Sequence, residues 1–204
     1  MSKLIPLFPL DLVLFPGMIL PLHIFEPRYK EMIGEALANS STFGIVRAVE
    51  DGIAQIGCSA EVVTVVKRYE DGKLDIVTRG LDRFRVLEVN RDRSFLQAEV
   101  EFLPDETEAA PELRKKAIDL HRSLILLLST GAAIPVNLDA PAEQLSFWLI
   151  AQLPVDLGFK QAILVTPTES QRLSTLVEYY EAVIPTIGRT MQAKKKSGGN
   201  GHVM

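Results

Sequence analysis

Three histidines and one cysteine are the residues of this 204-residue chain best suited to covalent or metal chemistry: His23, His121, His202 and Cys58. Metal sites built on a helix pair two ligands at a fixed spacing, as in HExxH, and no such pair occurs. A single cysteine excludes an internal disulfide framework and a cysteine-based zinc site. His23 ends a proposed strand beside Glu26 and reads as a capping or surface histidine. His121 is expected to flank a helix face, and His202 lies in the tail. A nucleophilic cysteine needs a base and a setting that stabilises the thiolate. Cys58, in Gly57-Cys58-Ser59, shows neither and reads as a small buried hydrophobe. There is no G-x-S-x-G elbow, no G-x-x-x-x-G-K-[ST] phosphate loop and no G-x-G-x-x-G. Binding of ATP by a phosphate loop is therefore not expected, nor is any cofactor. The enzyme alternative is a small hydrolase that uses His23, Glu26 or Cys58.

Arg79, Arg83 and Arg85 form a basic cluster, but Asp75 and Asp82 interleave with it, which favours a solvated, salt-bridged sheet face. The formal net charge is −4, unevenly placed. Residues 1–188 sum to −8, and the end from Arg189 through Lys194, Lys195 and Lys196 is +4. Nucleic-acid binding rests on neutralising phosphates with Lys and Arg. An acidic body makes RNA binding through those three arginines the weakest alternative, and nucleic acid is not an expected partner.

The apolar excess near the start offers a different chemistry. Phe8, Leu14, Phe15 and Met18 crowd a stretch broken by Pro6, Pro9, Pro16 and Pro21, and Tyr29 follows soon after. Proline-broken segments lie near surfaces, and an exposed apolar groove with an adaptable methionine suits polypeptide. Phe8, Leu14, Phe15, Met18 and Tyr29 are thus the candidate polypeptide-binding residues. The competing reading is that they plug the sheet.

The elements that must position these residues follow from proline placement. Five of the twelve prolines fall in residues 1–27, none in residues 28–103, and seven from Pro104 to Pro185. Lys3–Leu7 and Met18–His23 read as extended pieces joined by a Pro16-Gly17 type II turn. Pro27 suits a first helical turn, and Tyr29, Met32, Ile33 and Leu37 make one helical face. Residues 42–103 read as strands, with an Asp71-Gly72 hairpin, a second turn near Gly80-Leu81, and alternation at Leu96, Ala98, Val100 and Phe102. A closed or nearly closed antiparallel sheet is expected. Pro104–Pro111 is an acidic linker. Beyond it, helices are expected from Pro111 to Ser129, from Pro141, and after an Asp156 cap. A last one follows a capping box at Thr166-Pro167-Thr168-Glu169, and Pro185 kinks or ends it. The organisation read from this is residues 1–104 as a β domain, 111–188 as a helical domain and 189–204 as a disordered tail. No run of about 18 apolar residues predicts a membrane span, and the lone cysteine fits a cytoplasmic protein.

Ile5-Pro6-Leu7-Phe8-Pro9-Leu10, Val13-Leu14-Phe15-Pro16-Gly17 and Leu20-Pro21-Leu22 resemble the opening of the Lon protease N-terminal domain. So do Gly57-Cys58-Ser59-Ala60-Glu61-Val62, then Val77-Thr78-Arg79-Gly80-Leu81-Asp82-Arg83-Phe84, then Ile150-Ala151-Gln152-Leu153-Pro154-Val155. The order and spacing of these motifs cover roughly residues 4–188. The resemblance implies an α+β fold: a PUA-like antiparallel β-barrel with one early helix, followed by a C-terminal helical bundle. It also implies recognition of unfolded or apolar polypeptide segments, with a protease or chaperone as partner, and no catalytic residue to carry over. Lon continues into an ATPase module and a Ser–Lys protease. Without a phosphate loop, this chain is expected to be a stand-alone, non-catalytic binding module or adaptor.

Overall fold

In a computed structural model, residues 2–129 and 144–198 are described. The first half contains β1 (Lys3–Leu10), β2 (Ile19–Ile24), α1 (Pro27–Asn39), β3 (Phe43–Val49), β4 (Gly52–Ile53), β5 (Ile56–Arg68), β6 (Leu74–Asn90) and β7 (Gln97–Phe102). The second contains α2 (Pro111–Leu128), α3 (Leu145–Ala151), α4 (Leu157–Val165) and α5 (Glu169–Gly198). The seven strands run in the order β1-β7-β6-β5-β3-β4, and β2 pairs with β6. A parallel pairing of β1 with β3, from Leu7 opposite Gly44 to Leu10 opposite Arg47, closes the ring. Around that ring, β2 is paired only with β6 and β4 only with β3, so each keeps one edge unpaired among the described residues. The expected β-barrel with an early helix and following helices is the fold observed. Among the described residues, no helix is long and apolar enough to cross a membrane.

Local signals mostly act as their chemistry dictates. Pro27 opens α1, whose Tyr29, Met32 and Ile33 pack on the barrel. Gly72, at φ +79°, turns the β5–β6 hairpin. Asp156 caps α4 by accepting from the Phe159 N–H at 2.9 Å.

Four readings differ from the structure. No turn occurs at Gly80-Leu81, because β6 is one continuous strand of 17 residues. α5 starts at Glu169, and its cap is Thr168, whose Oγ1 accepts from the Gln171 N–H at 3.2 Å. Glu169 does not reach back to complete a box, since its carboxylate bonds Ser146 instead. The same helix runs through Pro185 to Gly198, well into the tail read as disordered. One proline removes one hydrogen bond, and the Ala193-Lys194-Lys195-Lys196 run has good helix propensity. A helix start at Pro141 lies outside the described residues, as do residues 199–204.

His121 does not flank α2. It lies at 0% exposure on the buried face, in line with Ala117 and Leu124, and its Nδ1 meets the Tyr180 hydroxyl at 2.9 Å. Burial pushes its pKa down to about 4. The unfolded chain takes up this proton near pH 6.5, so stability conferred by the neutral ring is complete above that pH and falls as pH drops toward 4. Between pH 7 and 5 this residue should cost about 2 kcal/mol. Urea denaturation at the two pH values should show a smaller loss in His121→Gln than in the parent. Equal losses would contradict the burial argument.

Candidate functional site

The two halves meet along a seam of buried polar groups. Arg83, at 2% exposure on β6, donates through Nη1 to the carbonyls of Leu164 and Thr166, each at 3.1 Å. Its Nη2 donates to the carbonyls of Pro104 and Pro167 and, at 3.0 Å, to Asp105 Oδ1. Arg172, fully buried on α5, donates to Asp105 at 2.7 Å, to Glu169 at 2.8 Å and to Ser146 Oγ at 2.8 Å. Its guanidinium lies 4.1 Å from the Phe147 ring centre. Asp105, part of the acidic linker, is thus a joint between two arginines. Apolar packing crosses the same line, since Val13, Phe15 and Ile56 share one core with the helices.

Above the seam, Pro16 and Gly17 make the expected turn: the Met18 N–H reaches the Phe15 carbonyl at 3.1 Å, and Gly17 has φ +75°. The turn is pinned to β6, where Gly17 N–H donates to the Gly80 carbonyl and Gly80 N–H to the Met18 carbonyl, both at 2.9 Å. A side chain at Gly80 would occupy the space of the Phe15 carbonyl, so the glycine signals close backbone approach and not a turn. Phe15 then stacks on Phe147 of α3 at 5.6 Å. What remains between turn and helix is a cleft of about 420 Å³, lined by Met18, Phe147, Trp148, Ala151, Gln144 and Arg79 with Pro16 and Gly17. Ile19, at 52% exposure, extends apolar surface along β2.

Of the five candidate polypeptide-binding residues, only Met18 faces this cleft. Phe8 and Tyr29 stack at 4.0 Å inside the β core, Leu14 is 1% exposed there, and Phe15 is 1% exposed beneath the turn. These four are corrected to core residues. Their prolines bend the chain across the barrel, and apolar side chains on a bent segment still turn inward. Phe147, Trp148 and Arg79 had no signal as a group, because they come from elements distant in sequence.

His23 and Cys58 are not brought together. His23 pairs in register with Asp75 and Cys58 with Arg83, eight positions along β6, or roughly 25 Å apart at strand rise. His23 Nδ1 donates to Asp75 at 2.6 Å, Tyr69 donates to the other Asp75 oxygen at 2.7 Å, and His23 lowers the Asp75 pKa. Glu26 bonds Arg28. Cys58 is 0% exposed, and burial pushes its thiol well above the ordinary range, which opposes a thiolate. The arginine cluster also disperses: Arg79 pairs with Glu61, Arg85 with Glu101, and Arg83 is internal. Among the described residues no group of three or more His, Cys, Asp and Glu side chains is placed to hold a metal ion.

A closed barrel is thus sewn to a helical half, with a largely apolar cleft above the seam. The sequence profile of the ATP-dependent protease La (LON) substrate-binding domain matches residues 4–181, and the chain belongs to that family. It is 28% identical to the Lon protease of Paraburkholderia phytofirmans over 201 residues, covering 92% of this chain and 25% of that protein. Lon protease 2 of Myxococcus xanthus is 28% identical over 193 residues, with 86% and 23% covered. The chain therefore spans about a quarter of the length of these relatives. The crystal structure of a Lon N-terminal domain protein from Xanthomonas campestris superposes with a TM-score of 0.70 at 27% identity, covering 87% of this chain and 98% of that one. The N-terminal domain of Mycobacterium avium complex Lon protease shares the fold, with a TM-score of 0.67 at 23% identity over 88% and 98%.

Proposed function

We propose that this chain is a non-catalytic polypeptide-binding module, and that the cleft between the Pro16-Gly17 turn and α3 takes an apolar segment of the bound chain. The family supports the substrate class. The observation that carries the location is that half-buried Met18 and Trp148 line the same cleft, an adaptable thioether beside a rigid aromatic surface. A polypeptide held here would be presented to a protease or chaperone partner, with no chemistry of its own. Turnover by this chain would instead need an assembled nucleophile and base, and Cys58 lies eight β6 positions from His23.

Met18→Asp should weaken binding of a fluorescein-labelled, reduced and carboxymethylated lactalbumin about tenfold or more, the effect of losing one buried methionine contact. Fluorescence anisotropy reads the affinity, and an unchanged thermal melt shows that the fold persists. Undiminished affinity with the fold intact would move the site elsewhere. Phe15→Asp is no substitute, since Phe15 is core.

A further inference from the structure

Among the described residues that line the cleft, Arg79 is the only charged one. Its Nε and Nη2 both donate to one oxygen of Glu61, and Nη1 has no partner among the described residues. The side chain is 52% exposed, so its free edge is open to a ligand. Beside it stand the aromatic and thioether surfaces of Trp148 and Met18. At about 420 Å³ the cleft is at the small end of the range for ligand sites, enough for one large side chain and its backbone. One apolar pocket beside one cationic group fits a ligand that joins an apolar side chain and a carboxylate on the same residue.

From this juxtaposition we infer that the cleft selects polypeptide chain ends: it holds an apolar C-terminal residue on Met18 and Trp148 and its terminal carboxylate on Arg79. The inference rests on the polypeptide-binding reading above and narrows its substrate class. A guanidinium presents its N–H groups in a fixed fork that matches a carboxylate, and a charge-assisted hydrogen bond is about twice as strong as a neutral one. Glu61 is the competitor. It holds Arg79 in place at the cleft rim, and an arriving carboxylate shares or displaces it.

Trp148 is the only tryptophan in the chain, so its emission reports occupancy without a label. The probes are two acetylated peptides ending in Leu-Phe, one with a free carboxylate and one amidated, titrated into the full chain. The free acid should bind about tenfold tighter than the amide. Arg79→Gln should abolish that preference, so that acid and amide bind alike, and Glu61→Gln should widen it. Equal affinity for acid and amide overturns the selection of chain ends. If Met18→Asp then weakens both peptides alike, the polypeptide cleft itself stands. If Trp148 emission responds to neither peptide, the cleft reading falls as well. An amidated peptide with Glu preceding the last Phe that binds as tightly as the free acid also overturns it, in favour of an internal acidic segment.

Discussion

Replacing Arg172 with leucine should destabilise the protein by about 3–5 kcal/mol, the range for removing one partner of a buried ion pair. Arg172 and Glu169 are both 0% exposed, and Asp105 is 14% exposed between Arg172 and Arg83. Leucine would fill much of the volume and keep contact with Phe147. It would also strip the buried Glu169 carboxylate of its close cationic partner, leaving it the Ser146 N–H and hydroxyl and the more distant Arg114 guanidinium at 4.0 Å. The carbonyls of Thr166 and Pro167 would lose a donor as well, though Arg83 still reaches both. Arg172→Lys should recover only part of the loss, because an ammonium cannot bridge Asp105, Glu169 and Ser146 at once. Guanidinium denaturation followed by Trp148 emission and by far-ultraviolet circular dichroism checks this. The two signals should shift together, since the seam ties the helical half to the barrel. A loss below about 1 kcal/mol would show that the seam is not a determinant of stability.

Gly80→Ala should cost about 2–4 kcal/mol, more than overpacking usually costs, because the obstacle is backbone. The added Cβ would stand 2.2 Å from the Phe15 carbonyl oxygen, 3.0 Å from its carbon and 3.2 Å from Cys58 Sγ. A flexible side chain could swing away, but a carbonyl pinned by the Met18 N–H cannot move without its turn. The two hydrogen bonds joining Gly17, Met18 and Gly80 would stretch together. Since that turn forms one wall of the cleft, the variant should lose polypeptide affinity along with stability. Thermal melting and anisotropy on the same sample check both. An unperturbed melt would mean that the turn is more yielding than its hydrogen bonds indicate.

Elements whose signals are local were legible in the sequence. The Pro16-Gly17 and Asp71-Gly72 turns, the proline start of α1, the Asp156 cap and the alternation along β7 each depend on a few neighbouring residues, and each acts as its chemistry dictates. Signals that change meaning with distant contacts were misread. Gly80 has the composition of a turn and the role of a close-packing site. Arg83 has the composition of a surface cation, yet five acceptors, four of them carbonyls, converge on it. His121 and Glu169 look polar and solvated, but lie in the interior because Tyr180 and Arg172 await them there. Of the candidate site, only Met18 was legible, because exposure of an apolar residue depends on what packs over it.

By itself, the sequence determined the order of elements, the switch from period-two strands to helical faces near Pro104, the family, and the lack of a phosphate loop. Periodicity, proline and turn chemistry act within a few residues, so one dimension is enough to read them. Only the tertiary structure decided which apolar residues remain accessible, that Arg83, Asp105, Glu169 and Arg172 share one buried seam, and that Arg79 stands beside Met18 and Trp148. Those facts depend on which faces meet when the barrel closes and the helices dock. The chain encodes them through the packing of the whole molecule, and no single segment records them.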